Sequence, residues 1–130
     1  MKTVILSLVL VLSSVAAQAA DLTRAVKVIE EGVVNLYLGN QFGQTLYTFD
    51  IDSGTQSACN GACAEKWPPL LVNADEAKTL VAPYGVITRS SGLLQVTYQS
   101  KPIYTFFLDH AEGDDKGDGV GGVWHDIDFK

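Results

Sequence analysis

The stretch Leu46-Tyr47-Thr48-Phe49-Asp50-Ile51-Asp52 is the main indication of how this chain folds, because a second copy of it follows downstream. The copy is Ile103-Tyr104-Thr105-Phe106-Phe107-Leu108-Asp109, which begins 57 residues later (46 to 103). Trp124 repeats Trp67 at the same offset, so that Tyr, Thr, Phe, Asp and Trp recur in register. A fixed offset of this kind indicates a duplicated structural unit. We place the two repeats at about residues 26–72 and 84–128.

The segments around the two copies have the composition of short β-strands. They are rich in β-branched and aromatic residues and are separated by turns of Gly, Pro, Asn and Ser. Strands are predicted over residues 22–30, 33–38, 45–49, 84–89, 93–98 and 102–107, with a last one ending at Ile127. A helical turn is predicted from a cap at Asn60 to Lys66, and a second one begins at Asn73 in the linker 72–83. The expected fold is mainly β, with antiparallel sheets from two pseudo-symmetric repeats and one or two short helical turns.

The N-terminus has the three parts of a secretory signal peptide. Lys2 precedes an apolar run from Val4 to Leu12, and small residues end the segment at Ala17-Gln18-Ala19-Ala20. We expect residues 1–20 to be cleaved, leaving residues 21–130 as a single periplasmic or secreted domain. The apolar run is about half the roughly 20 residues that a membrane-spanning helix needs, so the mature chain is expected to lack a transmembrane segment.

The charge of the chain argues against nucleic acid as a partner. Its formal net charge is −6, and the acids are concentrated near the C-terminus. An acidic surface repels phosphate backbones. The partner expected from the sequence is therefore an unknown ligand in the cell envelope or outside the cell.

Cys59 and Cys63 are the two cysteines of the chain. An even pair in an exported protein is typical of a disulfide. A spacing of four residues places the two Cα atoms about 6 Å apart in a helix, within bonding range. The sequence therefore predicts a local disulfide that fixes the loop before Trp67.

The repeated motif residues have two interpretations. Either they solve the same folding problem in each repeat, or they form a ligand-contacting surface; they are Tyr47, Phe49, Asp52, Trp67, Tyr104, Phe106, Asp109 and Trp124. In the structural interpretation each Asp accepts backbone N–H groups from the loop after its own strand and holds that loop against the Tyr and Trp of its own repeat. In an alternative, Asp52 and Asp109 form a carboxylate pair for acid–base chemistry.

The acidic loop of the second repeat is the candidate metal site. Residues 109–118 carry carboxylates on a glycine-rich backbone, and hard oxygen ligands of this kind suit Ca²⁺. His110 and His125 would offer nitrogen ligands to another divalent cation. The candidate ligands are Asp114, Asp118, His110 and His125. Lys116 interrupts the loop as a Ca²⁺-binding pattern, so a solvated acidic loop without a cofactor stays the other interpretation.

The motifs together resemble a known bacterial family. These are the Leu46–Asp52 stretch, Cys59-Asn60-Gly61-Ala62-Cys63 leading to Trp67-Pro68-Pro69, and the second Tyr104-x-Phe106-x-x-Asp109 with Gly122-Val123-Trp124-His125. The family consists of secreted or lipid-anchored repeats named for a Tyr-x-(Phe/Trp/Tyr)-x-x-Asp motif. The resemblance implies an exported two-repeat protein and supplies no catalytic residues. Many relatives carry a lipid on an N-terminal cysteine that this chain lacks, which favours a soluble form.

Three functions remain after these observations. The first is a non-catalytic exported protein of the cell envelope with a binding or structural role. The second is a metal-handling protein that uses the acidic loop, and the third is an envelope hydrolase that uses Asp52 and Asp109.

Overall fold

The computed structural model describes residues 22–129, so the predicted signal peptide lies outside the described residues. Within this range the chain is mainly β and antiparallel, as predicted, with two short α-helices. The elements in chain order are β1 (Thr23–Glu30), β2 (Val33–Asn40), β3 (Tyr47–Phe49), α1 (Ala62–Lys66), β4 (Leu71–Val72), α2 (Ala74–Thr79), β5 (Tyr84–Thr88), β6 (Leu94–Tyr98), β7 (Lys101–Pro102) and β8 (Trp124–Asp126). In residues 22–129 no helix is long and apolar enough to cross a membrane.

The strands form three antiparallel units. β1 and β2 make a long hairpin from Thr23↔Asn40 to Glu30↔Val33. β6 is the central strand of the second unit, with β5 on one edge and β4 and β7 at the two ends of the other. β3 and β8 form a two-stranded ribbon, which joins the first repeat to the end of the second.

A pseudo-twofold axis passes between the two motif tyrosines. Tyr47 and Tyr104 exchange two backbone hydrogen bonds, of 2.8 and 3.0 Å. Farther from the axis, the N–H of Asp50 bonds the carbonyl of Val123, and at the equivalent position the N–H of Phe107 bonds that of Lys66, both at 2.9 Å. Each motif strand therefore pairs with the tryptophan segment of the other repeat, so that each repeat completes its partner.

Two hydrophobic clusters form the core. The aliphatic cluster consists of Leu38, Leu46, Val72, Val96, Ile103 and Ile127. The aromatic cluster consists of Tyr47, Cys59, Trp67, Tyr104, Phe106 and Trp124. The rings of Trp67 and Trp124 stack in parallel with centroids 3.7 Å apart. Each buried ring removes a large apolar area from water, which makes this contact between repeats a main source of stability.

Local details differ from the predicted elements in three places. The strand predicted over 102–107 is continuous only at β7, because Tyr104 forms separate bridges to Tyr47 and Pro69. Strand β4 was not predicted, since two residues carry no recognisable pattern. The cap of α1 is Gly61, not Asn60. Helix α2 shows that the linker 72–83 is ordered.

Helix α2 confirms the helix start predicted at Asn73. The Asn73 side chain accepts the N–H of Glu76 at 2.8 Å, and the Glu76 side chain accepts the N–H of Asn73 at 3.1 Å. Two otherwise unpaired donors are satisfied by this reciprocal arrangement. The cap fixes the start of the short helix, and Ala77, although not fully buried, packs against the aliphatic cluster.

Candidate functional site

The motif tyrosines and aspartates bond across the pseudo-twofold axis. The Tyr47 hydroxyl donates to Asp109 Oδ2 and the Tyr104 hydroxyl donates to Asp52 Oδ2, both at 2.6 Å. The prediction that each Asp holds its loop against the Tyr of its own repeat is therefore wrong. The reason is that Tyr47 and Tyr104 lie opposite each other on antiparallel segments, so each side chain reaches the loop of the other repeat.

Each motif aspartate also anchors its own loop, as predicted. Asp52 Oδ1 accepts the N–H of Ala58 at 2.7 Å, and Asp109 Oδ1 accepts the N–H of Lys116 at 2.9 Å. Both oxygens of each carboxylate are thus hydrogen bonded. A general base needs an oxygen that can take a substrate proton, so this geometry gives the hydrolase alternative no support.

The environment of the two tyrosines keeps them as neutral donors. Burial, followed by the hydrogen bond to Asp109, raises the pKa of Tyr47 far above its ordinary value. Burial and the bond to Asp52 do the same to the pKa of Tyr104. Burial also raises the pKa of Asp52, against the hydrogen bonds from Tyr104 and the Ala58 N–H, which lower it.

The motif aromatic rings pack mainly on one another. Trp67, Phe106 and Trp124 are buried and Phe49 is half-buried. The ring of Phe49 stacks on Trp124 with centroids 4.1 Å apart, and that of Phe106 packs on Trp67 at 4.2 Å. This packing favours the structural interpretation of the motif over the ligand-contacting one.

The predicted disulfide between Cys59 and Cys63 is present, with the Cα atoms 5.2 Å apart. The sequence analysis missed the buried Arg89, which fixes this loop from the second repeat. Its guanidinium donates to the Cys59 carbonyl at 2.6 Å and to the side chains of Ser57 at 3.0 Å and Gln95 at 2.7 Å. The disulfide loop is therefore held both covalently and by hydrogen bonds from Arg89, which follows β5 and is itself oriented by Gln95 of β6.

The predicted metal ligands do not come together as a set. Asp114 Oδ2 accepts the N–H groups of Ala111 at 3.0 Å and His110 at 2.8 Å, and these bonds lower the pKa of Asp114. Asp114 thus shapes a local turn. His110 is exposed, and His125 bonds Asp50 in another part of the structure. Of the four candidates only Asp118 belongs to a carboxylate cluster.

That cluster consists of Asp115, Asp118 and Asp126, with one oxygen of each lying within 4.8 Å of the others. Both carboxylate oxygens of Asp115 and one of Asp126 are buried and receive no hydrogen bond from a donor group of residues 22–129. Burial first, and then the neighbouring Asp126 carboxylate, raises the pKa of Asp115 to about 8. Burial also raises the pKa of Asp126.

A solvent-open cleft lies between the β6–β7 turn and the β3–β8 ribbon, with a volume of about 280 Å³. In its wall, His125 Nε2 and Asp50 Oδ2 are 2.8 Å apart. The lining residues are Thr48, Asp50, Tyr98, Gln99, Lys101, His125, Asp126, Ile127 and Asp128. A side pocket of about 120 Å³ continues past Thr48, Asp50 and Lys101.

The charged residues of the cleft and of the carboxylate cluster have no counterparts in the other repeat. At the 57-residue offset, Pro68 stands in place of His125, Phe107 in place of Asp50 and Gln44 in place of Lys101. For the cluster, the corresponding residues are Ala58, Gly61 and Pro69. These charges are therefore not part of the motif that the two repeats share. A comparison of the repeats shows that these positions differ, but not that the side chains lie close together in space.

The duplicated, interlocked β-fold defines the class of protein to which the chain belongs. It is a member of a family described as a secreted repeat of unknown function, whose model matches residues 38–71 and 85–127. No curated protein and no solved structure shows detectable similarity to the chain. Membership in a secreted family agrees with the predicted export, and the disulfide fits an extracellular location.

Proposed function

We propose that this exported protein is a non-catalytic binding protein of the periplasm or the extracellular space, and that the cleft is its ligand site. The observation that carries the proposal is the pair of His125 and Asp50 in the wall of the 280 Å³ cleft, with His125 Nε2 and Asp50 Oδ2 2.8 Å apart. Small-molecule sites begin at about 300 Å³ and combine a shaped cavity with a few oriented polar groups. At about 280 Å³ the cleft lies just below this size range, and it has the oriented polar groups.

The surroundings of the pair support a binding role. Asp50 fixes the orientation of the His125 imidazole, while backbone pairing of Thr48 with His125 holds the two strands in register. Tyr98 lines the opposite wall, which belongs to β6. The repeats differ at these polar positions although their backbones pair alike, so the motif that the repeats share does not require them.

A titration followed by NMR tests the cleft as a ligand site. The ¹⁵N-labelled protein, residues 21–130, would be screened against a panel of small polar compounds of both charges. We expect at least one compound to shift the amide signals of Thr48, His125 and Asp128 in a saturable way. His125→Ala should weaken that binding, while His110→Ala, which changes an exposed histidine outside the cleft, should leave it intact. Binding confined to other surfaces, or no binding by the whole panel, would overturn the proposal.

A second candidate function is the binding of a divalent cation at Asp115, Asp118 and Asp126. The specific observation in its favour is that Asp115 and Asp126 bury carboxylate oxygens that no donor group of residues 22–129 satisfies. Clustered carboxylates repel one another unless a proton or a cation compensates, and oxygen ligands suit Ca²⁺ or Mg²⁺. The site would thus use the acidic loop, with β8 supplying the third ligand.

The cation site is tested by the melting temperature in Ca²⁺, in Mg²⁺ and in chelator. If it forms, one of these ions should raise the melting temperature, because binding to the folded state alone stabilises it. Asp118→Asn should abolish the rise. Asp114→Asn is the matched control, since Asp114 belongs to the same loop but not to the cluster. Equal melting temperatures in both ions and in chelator would rule out this second function.

A further inference from the structure

The two walls of the cleft carry opposite charges that are not paired with each other. Lys101 comes from the wall formed by the β6–β7 turn, whereas Asp50, Asp126 and Asp128 come from the β3–β8 side. Neither Lys101 nor Asp128 forms an ion pair within residues 22–129. Asp50 is engaged with His125 through Oδ2. The cleft therefore presents one ammonium group and at least one carboxylate across an open space.

The backbone fixes the position of Lys101 at considerable cost. Gln99 and Ser100 form the two-residue connection between β6 and β7, and both have left-handed backbone angles, with φ of 48° and 65°. Residues other than Gly lose about 1 kcal/mol or more in this conformation. The tight turn returns the chain so that Lys101 pairs with Tyr98, which sets the ammonium group and the phenol ring on the same wall.

The opposite wall is fixed equally well. Asp128 follows β8 and forms a backbone bridge to Tyr37 of β2. Phe129 continues this pairing through a 3.0 Å hydrogen bond from its N–H to the Leu36 carbonyl. The carboxylate of Asp128 thus projects from an ordered strand segment, and the distance between the two charged walls is set by the sheet structure.

Resting on the proposed function, we infer that the ligand of the cleft is a compact zwitterion, a molecule with an ammonium group and a carboxylate separated by a few bonds, as in a short peptide. Its carboxylate would face Lys101 and its ammonium group would face Asp128 and the Asp50–His125 pair. A ligand with one charge alone would leave one wall unpaired and desolvated. Charged groups without partners in a bound state cost affinity.

The test uses a zwitterionic dipeptide and two derivatives, each of which lacks one of its two charges. They are L-alanyl-L-alanine, its N-acetyl derivative, which lacks the cation, and its C-terminal amide, which lacks the anion. Amide shifts of the cleft residues would give a dissociation constant for each. We expect the free dipeptide to bind about tenfold or more tightly than either derivative, a difference of about 1.4 kcal/mol, and added salt to reduce the preference.

Two variants assign each charge to its wall. Lys101→Met should remove the preference for the dipeptide over the amide, and Asp128→Asn should remove its preference over the N-acetyl derivative. Lys78→Met and Asp75→Asn are the matched controls, because they change exposed charges on α2, outside the cleft. Both controls should keep the wild-type preferences.

The outcomes separate this inference from the proposed function. Equal binding of the dipeptide and one of its derivatives, or no cleft shifts with any of the three while another compound of the panel binds there, would overturn the zwitterion and leave the binding function standing. Absence of cleft binding by the entire panel would overturn both.

Discussion

The hydroxyl of Tyr47 in the first repeat donates to the carboxylate of Asp109 in the second at 2.6 Å, and both side chains are buried. The equivalent bond from Tyr104 to Asp52 has the same length but is half-buried. The duplicated motif therefore joins the two repeats to each other. The same residues that define each repeat in sequence make it dependent on its partner for folding.

The two tyrosines should contribute unequally to stability. Tyr47→Phe should lower the free energy of unfolding by about 3 kcal/mol, because it leaves both a buried Asp109 oxygen and the Gly117 N–H without a partner. Tyr104→Phe should cost only about 1 to 2 kcal/mol, since Asp52 reaches solvent and the Ser57 hydroxyl can turn elsewhere. Urea unfolding of both variants measures this order. A larger loss in Tyr104→Phe would contradict it.

Gly117 is required by the aromatic cluster. A Cβ atom there would lie 2.8 Å from the ring of Tyr47 and 2.8 Å from that of Trp67. Since buried rings cannot move aside without disturbing the core, Gly117→Ala should cost about 2 to 3 kcal/mol. Gly54→Ala is the control, because its nearest contact is at 3.4 Å, and it should be near neutral. Thermal melts of the two variants should therefore differ by several degrees.

Reduction of the disulfide should loosen one loop without unfolding the domain. Closing so short a loop contributes about 2 kcal/mol in the chain-entropy model, and Arg89 still bonds the Cys59 carbonyl. Hydrogen exchange with and without reductant should accelerate in residues 53–67 only. In Arg89→Leu the same reduction should have a larger effect. Global exchange on reduction of the wild type would show that the disulfide supports the whole fold.

Asp115 should make the protein less stable at alkaline pH in the absence of divalent cations. Its pKa is about 8 in the folded state against 3.8 for an ordinary aspartate. Below pH 3.8 the Asp115 side chain is protonated in both the folded and the unfolded state, and its contribution to the free energy of unfolding is complete. As the pH rises to 8 the unfolded chain releases this proton while the folded chain keeps it, so the contribution is progressively lost.

Urea unfolding from pH 5 to pH 9 in chelator measures this loss. Asp115→Asn, which mimics the protonated side chain, should flatten the fall in stability. Asp114→Asn should not, because hydrogen bonds lower the pKa of Asp114 and its contribution is lost only at acidic pH. Identical profiles of stability against pH for the wild type and Asp115→Asn would show that a group other than Asp115 keeps the proton in the folded state.

Features that depend on neighbouring residues could be predicted from the sequence. The strand-forming residues of Tyr84–Thr88 and Leu94–Tyr98, the cap at Asn73 and the Cys59–Cys63 spacing each depend on residues close together in the chain. The recurrence of the motif indicated two equivalent units. That each motif Asp would accept an N–H from its own loop also followed, because an Asp after a strand commonly bonds the backbone that follows it.

The sequence pattern did not predict that each repeat pairs its motif strand, and bonds its motif tyrosine, with the other repeat. A repeat of 57 residues is compatible with two separate units or with two interlocked ones, and local spacing does not distinguish them. The distinction lies in the pairing of β3 with β8, in which Thr48 and His125 are partners 77 positions apart (48 to 125). Hydrophobic burial of Trp67 against Trp124 stabilises the interlocked arrangement.

The repeat, the strand composition, the disulfide and the acidic character of the second loop all follow from the order of the amino acids. Which charges lie close together depends on the three-dimensional fold. Asp126 joins Asp115 and Asp118 because β8 lies beside Tyr47, and His125 meets Asp50 across the same ribbon. Electrostatic interactions depend on distance in space and on burial, and both quantities are set by strand pairing between residues that are remote in the chain.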